Sequence, residues 1–207
     1  MIDAVVFDIG NVLIEWQPQK FYDRTIGEPR RRAFFEAVDM YTMHDGVDRG
    51  EPFRDTVYAF AEEHPEWSAE IRMWHDNWND IADTPIPQSV AVLRALRAKG
   101  IPVFALSNFG IESFDLSERA HPFLKEFDQR YISGHMGVIK PDPTIYEMME
   151  AECGVAPERM IFADDRADNI AAAAARGWHT HLFTDTQGWA DRLIAEGLLE
   201  QQELENA

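Results

Sequence analysis

Val5-Val6-Phe7-Asp8-Ile9-Gly10-Asn11-Val12-Leu13 is the stretch on which the reading of this chain turns. A run of apolar, strand-forming residues ends in one carboxylate, and Gly10, two residues on, lets the backbone turn away sharply. Asp8 therefore falls where a buried strand emerges into a crevice, which in open parallel sheets is the carboxyl end, where ligands sit. A lone Asp at such a place is also an ordinary turn residue. The rest of the chain has to decide between the two.

Outward from Leu13 the pattern changes to a connector, Glu15-Trp16-Gln17-Pro18, whose proline cannot continue strand pairing. From Gln19 to about Ile81 apolar residues recur at helical spacing, as in Ala33, Phe34, Ala37 and Val38, then Phe53, Val57, Phe60 and Ala61. Roughly four helices packed as a small bundle fit this length, with Ser68 expected as the N-cap of a helix through Ile71, Trp74 and Trp78. Asp83-Thr84-Pro85-Ile86-Pro87 is the second connector, stiffened by its prolines.

From Ser89 onward short apolar strands alternate with helices. Strands are expected at Ile101 to Leu106, around Arg130 to Ser133, at Met160 to Ala163 and at His179 to Phe183. Such alternation specifies an α/β fold with a parallel sheet covered by helices on both faces. The division follows: residues 1–16 and 86–207 form the sheet core, and residues 17–85 a helical cap inserted after the first strand. A lid over that strand's tip is the consequence. Glu200 to Ala207 is polar and is expected to fray.

The formal net charge is -18, from 19 basic and 37 acidic side chains. A field of that sign repels nucleic acid and anionic membrane surfaces, so neither is an expected partner. The single Cys153 cannot form an internal disulfide, and no positively charged amino-terminal segment precedes an apolar stretch of signal-peptide or membrane-spanning length. A cytoplasmic protein is expected, with Cys153 a small core side chain.

Three further strand ends carry polar groups. Val103 to Leu106 leads into Ser107-Asn108, Ile161 to Ala163 leads into Asp164-Asp165, and Lys140 stands between Gly137 and the prolines Pro141 and Pro143. Singly, each fits a turn, a helix cap or a surface lysine. If their strands neighbour the first one, Asp8, Asp164 and Asp165 meet, and like-charged carboxylates in contact cannot all stay ionised without compensation. A set of oxygen donors without His or Cys favours a hard divalent ion, most simply Mg2+. Together with Lys140 it would hold a phosphoryl group, with Asp8 as the attacking nucleophile.

These residues resemble the haloacid dehalogenase superfamily of hydrolases along nearly the whole chain. Asp8-Ile9-Gly10-Asn11-Val12-Leu13 resembles its first motif, Leu106-Ser107-Asn108 its second, Lys140-Pro141-Asp142-Pro143 its third, and Phe162 to Asn169 its fourth. The resemblance implies a Rossmann-like, three-layer core with a helical cap. It also implies Asp8 as nucleophile, Asp8, Asp165 and the Gly10 carbonyl as Mg2+ ligands, and Ser107 and Asn108 as phosphate binders. Lys140 would be the charge-neutralising lysine, and Asp164 and Asn169 would orient metal-bound water. The implied partner is a small phosphorylated metabolite, the implied assembly a monomer or homodimer.

One departure matters. Phosphatases of the superfamily mostly carry a second Asp two residues after the nucleophile, as general acid; here Gly10 stands there. Losing a positioned acid costs about 10²–10⁴-fold, least for good leaving groups. The chain is thus similar to the branch containing sugar-1-phosphate phosphatases. The alternative is a 2-haloacid dehalogenase using Asp8 without metal, since halide needs no proton to leave; Asp164-Asp165 stands against it. A non-catalytic binding module on the same fold is the third reading. For specificity, Met43, His44, Asp45, Trp74, His75 and Trp78 either face the crevice or serve as bundle core and surface.

Overall fold

The computed structural model describes residues 1–82 and 84–205, so that Asp83 of the second connector lies outside the described residues. One sheet of five parallel strands, β1 (Ala4–Phe7), β2 (Val103–Ser107), β3 (Gln129–Ile132), β4 (Met160–Asp164) and β5 (His179–Leu182), runs in the order β3-β2-β1-β4-β5. Between β1 and β2 come α1 (Pro18–Ile26), α2 (Glu28–Ala37), α3 (Met40–Asp48), α4 (Phe53–Glu63), α5 (Ser68–Asp76), α6 (Trp78–Ile81) and α7 (Pro87–Ala98). α8 (Ile111–Ala120) links β2 to β3; α9 (Ser133–Met136) and α10 (Pro143–Cys153) link β3 to β4. α11 (Ala167–Ala175) links β4 to β5, and α12 (Thr186–Ala195) and α13 (Gln201–Glu205) follow.

The central strand explains its own composition. Val5 and Phe7 join a buried cluster with Leu93 and Leu96 of α7 and Trp189 and Leu193 of α12, whereas Ala4 and Val6 join Ile145, Tyr146 and Met149 of α10. Both faces of β1 are covered, so its residues are uniformly apolar rather than alternating. This is the expected Rossmann-like layering, and Cys153 lies in the second of these clusters.

The stretch expected to hold roughly four helices holds six helical segments. Gly27 with φ of 82° separates α1 from α2, and Asn77 separates α5 from α6. Ser68 is the first residue of α5 rather than its cap, and its hydroxyl caps nothing. The two connectors pair with each other: Ile14 bridges Pro85, Glu15 N–H donates to Thr84 O at 2.8 Å, and Ile86 N–H to Leu13 O at 2.8 Å. The tail expected to fray from Glu200 is helical over Gln201–Glu205, with Glu203 paired to Lys99 at 3.0 Å; Asn206 and Ala207 lie outside the described residues.

The end of α3 is pressed hard onto the sheet core. A Cβ at Gly134 would stand 2.9 Å from Phe109 O and 2.8 Å from Ile111 N, and one at Gly110 would meet Val47 O at 2.9 Å. Ser133 Oγ donates to Asp48 O at 2.6 Å and accepts from Phe109 N–H at 2.8 Å. Glycine is required here by the closeness of two backbones. The consequence is that Asp48, at the last turn of α3, is held against the loop that follows β2.

Candidate active site

The strand order reverses at β1, with β2 on one side and β4 on the other, and the topological switch point is where such sheets bind ligands. Asp8 follows β1, Ser107 ends β2, and Asp164 ends β4, so adjacent strand tips carry the three groups. They open into a crevice of about 1180 Å³ whose other wall is formed by residues of the helical insert, among them Asp23, Tyr41, His44, Asp48 and Trp78.

Asp8 is tightly held and 7% exposed. Its Oδ1 accepts from Ile9 N–H at 2.7 Å and Ser107 Oγ at 2.6 Å, and lies 3.0 Å from Lys140 Nζ. All three donors converge on Oδ1, and Oδ2 receives none of them. Burial pushes the Asp8 carboxyl up to about 7; Lys140 and Ser107 pull it down, and Asp164 and Asp165 push it further up. Lys140 is itself buried. Desolvation alone would lower the pKa of its ammonium, but Asp164 and Asp8 outweigh that and hold it above its usual value.

Asp164 uses both oxygens within the protein. Oδ2 accepts from Lys140 Nζ at 2.7 Å and Asn169 Nδ2 at 3.0 Å, while Oδ1 accepts from Arg166 N–H at 2.8 Å. Asp165 is freer: its Oδ2 accepts from Asn11 Nδ2 at 2.9 Å, and burial followed by Asp164 pushes its carboxyl up against that hydrogen bond. Asn11 is oriented in turn by Trp16 N–H, which donates to its Oδ1 at 2.9 Å, and its backbone is left-handed, with φ of 54°.

The residues fit a hard dication. Carboxylate oxygens of Asp8, Asp164 and Asp165 lie within 4.8 Å of one another, and Lys140 is the lysine ion-paired within the cluster, to Asp8 and Asp164, while Arg166 lines the same crevice. Asn169 adds an independent sign: its buried Oδ1 has no hydrogen-bond partner although its Nδ2 is satisfied by Asp164. A buried acceptor left open beside an acid cluster suits a metal-bound water.

Asn108 is engaged differently from a simple anion binder. Its Nδ2 donates to Lys140 O at 2.9 Å and its Oδ1 accepts from Lys140 N–H at 2.7 Å, so the side chain clamps the lysine's backbone while the second Nδ2 hydrogen is not used by that clamp, and Asn108 lines the crevice. Gly10 lines the crevice, and a Cβ there would meet only Trp16 Cβ, at 3.8 Å. Of the six specificity candidates, His44, Asp45 and Trp78 line the crevice. Met43 lines a separate groove with Glu51 and Asp55, Trp74 is fully buried core, and His75 pairs with Asp76 at 2.8 Å.

Sequence reasoning missed Asp48 and Asn11. Asp48 is 8% exposed and lines the same crevice as Asp8 and Lys140. Its position four residues after His44 puts both on one helical face, which was the available signal.

A doubly wound parallel sheet with acids and a lysine converging on its switch point defines a class of Rossmann-like α/β enzymes. The chain matches the haloacid dehalogenase-like hydrolase family over residues 2–177 and belongs to that family. Among its relatives is a sesquiterpene phosphatase of Aspergillus oryzae, 24% identical over 194 residues, covering 88% of this chain and 90% of that protein. A drimenol cyclase of Aspergillus calidoustus is 24% identical over 196 residues, covering 88% of this chain, which spans about a third (34%) of that longer protein. Among solved structures, a variant of a family enzyme from Bacteroides thetaiotaomicron, in complex with magnesium and inorganic phosphate, aligns with a TM-score of 0.67 at 19% identity, covering 87% of this chain and 93% of that one. An L-2-haloacid dehalogenase of Xanthobacter autotrophicus aligns with a TM-score of 0.66 at 19% identity, covering 100% and 88%. The fold is therefore shared with an L-2-haloacid dehalogenase and with a family enzyme that binds magnesium and phosphate. No described helix is long and apolar enough to cross a membrane.

Proposed function

We propose that this hydrolase cleaves a small phosphate monoester by way of an aspartyl-phosphate on Asp8, with Mg2+ as cofactor. The observation that carries the reading is the cluster of Asp8, Asp164 and Asp165, with Lys140 ion-paired to two of them. Attack on a haloacid carbon has no use for three neighbouring acids, whereas a phosphoryl group needs cations around its oxygens. The phosphatase relative and the magnesium-and-phosphate complex of the Bacteroides enzyme support the same choice.

In this reading Asp8 Oδ2 attacks phosphorus while Ser107, Lys140 and Ile9 N–H hold Oδ1 and so aim the carboxylate. Asp8, the Gly10 carbonyl and Asp165 would hold Mg2+, which supplies charge neutralisation for the transferring oxygens. Lys140 acts on the phosphoryl group as a fixed positive charge, and Ser107 and Asn108 bind it once Ser107 turns its hydroxyl hydrogen from Asp8 to a phosphoryl oxygen. Asn108 also fixes the Lys140 backbone, and Asp164 and Asn169 orient the lysine and the water around the metal. Residues 17–85 act as a cap over a core of residues 1–16 and 86–207. The cap's Gln17, Asp23, Tyr41 and Asp45 give the crevice a polar wall suited to a hydroxylated leaving group such as a sugar 1-phosphate.

The test is phosphate release from p-nitrophenyl phosphate, sugar 1-phosphates and sugar 6-phosphates in Mg2+ or EDTA, beside Asp8→Asn. Turnover that requires Mg2+ and vanishes in the variant is the expected result. Halide release from 2-haloacids, unaffected by EDTA and without any phosphate release, would replace this reading by the dehalogenase one.

A further inference from the structure

The proposed chemistry leaves a proton without a carrier. The leaving oxygen of an alkyl phosphate must be protonated, and the position from which an acid would do so is Gly10, which has no side chain. Asn11, next along, is committed to Asp165 and to Trp16 N–H.

Across the crevice stands a buried acid that the proposed mechanism has not used. Asp48, on the last turn of α3, lines the crevice with Asp8 and Lys140, and its Oδ1 is buried with no hydrogen-bond partner. That oxygen faces His44 Nε2 at 3.5 Å. His44 is enclosed by Trp16, Phe53, Trp74 and Trp78, and Trp74 Nε1 donates to its Nδ1 at 3.1 Å. An acceptor at Nδ1 requires the ring proton on Nε2. His44 thus presents an N–H toward Asp48, and the aromatic enclosure keeps the ring neutral by desolvation.

A packing role does not account for this arrangement. Burying a histidine beside a carboxyl that has one oxygen without a hydrogen bond is costly, and an apolar pair would fill the same space without that cost. The seam of Gly110, Ser133 and Gly134 meanwhile holds Asp48 against the loop that follows Ser107 and carries Asn108.

We propose that Asp48 is the general acid and base of this site, taking the part that Gly10 cannot play, with His44 as its positioning residue. The inference rests on the phosphatase reading above. In the first step Asp8 Oδ2 forms its bond to phosphorus, the bond from phosphorus to the leaving oxygen breaks, and the Asp48 carboxyl proton passes to that oxygen. Alcohol, aspartyl-phosphate and an Asp48 carboxylate result. In the second step water attacks phosphorus, the bond to Asp8 breaks, and the Asp48 carboxylate takes the proton of the water. Phosphate leaves, and both aspartates return to their starting forms.

The protonation state suits this work. Burial pushes the Asp48 carboxyl up to about 7, Asp45 adds to the push, and Gly110 N–H, Lys140 and Arg49 oppose it. An acid and base serving one cycle works best with a pKa near the working pH.

The experiment compares Asp48→Asn with the wild type on β-glycerophosphate, whose leaving alcohol needs a proton, and on p-nitrophenyl phosphate, whose leaving phenolate hardly does. The expected loss of kcat/KM is about 10²–10⁴-fold on the alkyl ester. The aryl ester loses less, so that the alkyl-to-aryl ratio falls at least about tenfold. Equal losses on both esters, or no loss, overturn the proposal, because a merely structural role would not distinguish leaving groups.

Two further readouts guard against an unfolded variant. In the wild type the alkyl-to-aryl ratio should fall as pH rises past about 7, and a flat ratio overturns the proposal. In the double variant Asp48→Asn/Gly10→Asp, an acid restored at residue 10 should recover part of the alkyl activity. If the wild type releases no phosphate in Mg2+, the phosphatase reading fails and this inference with it; wild-type turnover with an unchanged ratio overturns the Asp48 role alone.

Discussion

Lys140→Met removes one buried cation from between two buried carboxylates. Lys140 Nζ lies 2.7 Å from Asp164 Oδ2 and 3.0 Å from Asp8 Oδ1, and also donates to Leu106 O at 2.7 Å. Its side chain is 1% exposed and that of Asp164 0%, so solvent screens almost nothing. Methionine fills a similar volume, which leaves electrostatics as the principal change. Stranding buried charge in this way costs about 3–5 kcal/mol. For a chain of this size that lowers Tm by roughly 6–20 °C.

The sign with pH follows from linkage. Lys140 has a raised folded pKa, so its contribution is fully present below its unfolded pKa of 10.5 and is lost as pH rises through the folded value. Asp8 in the folded state keeps its proton up to about 7, against an ordinary 3.8, and without the lysine it keeps it higher still. The variant's native state therefore binds a proton that its unfolded chain has released, and its stability falls as pH rises above about 4. Urea unfolding of both proteins in EDTA at pH 5 and pH 8 is the assay. The deficit should be several kcal/mol at pH 8 and clearly smaller at pH 5. A deficit below about 1 kcal/mol at pH 8, the scale of an exposed ion pair, would refute the reasoning. So would one that does not shrink on acidification.

Other substitutions probe neighbouring parts of the account. Asp48 is held near 7 in the folded state against 3.8, so its native form retains a proton and stability falls as pH rises through that window. Asp48→Asn should therefore gain stability relative to wild type between pH 4 and 7.5, by at most about 4 kcal/mol, in parallel urea titrations; a constant difference would contradict the burial argument. Asn11→Gly keeps the left-handed backbone and removes the amide on Asp165, so Mg2+ affinity by calorimetry should weaken about 10–100-fold, whereas unchanged affinity would mean that Asn11 does not orient the ligand. Gly134→Ala drives a Cβ to 2.8 Å from Ile111 N, backbone that cannot swing aside, and should cost about 1–3 kcal/mol by thermal unfolding; a neutral result would show that the seam gives way.

Much of the fold was legible because local chemistry and global position agree. Strand β1 reads as buried on both faces since it is central, and α10 begins after Asp142, whose side chain accepts from Thr144 N–H, and ends at Gly154 with φ of 70°. The acid cluster was legible because sheet order brings the ends of β1 and β4 together. The insert was less so. Its helices are short, and although Gly27-Glu28-Pro29 is a legible break, the one at Asn77 interrupts a helical periodicity that a sequence reads as one longer segment. The Asn108 clamp on Lys140 spans 32 residues and depends on loop closure that no spacing encodes. Asp48 and His44 were visible as a pair four residues apart, but only packing against Trp16, Trp74 and Gly110 shows that both are buried at the crevice.

The central claim is that Asp8 carries the phosphoryl group during turnover. Acid-quenched protein, digested and read by mass spectrometry after brief mixing with p-nitrophenyl phosphate and Mg2+, tests it directly. The account predicts one added phosphoryl group on the peptide containing Asp8, absent in EDTA and absent from Asp8→Asn. Phosphate release in the wild type with no label at Asp8, or with the label on another residue, would contradict it.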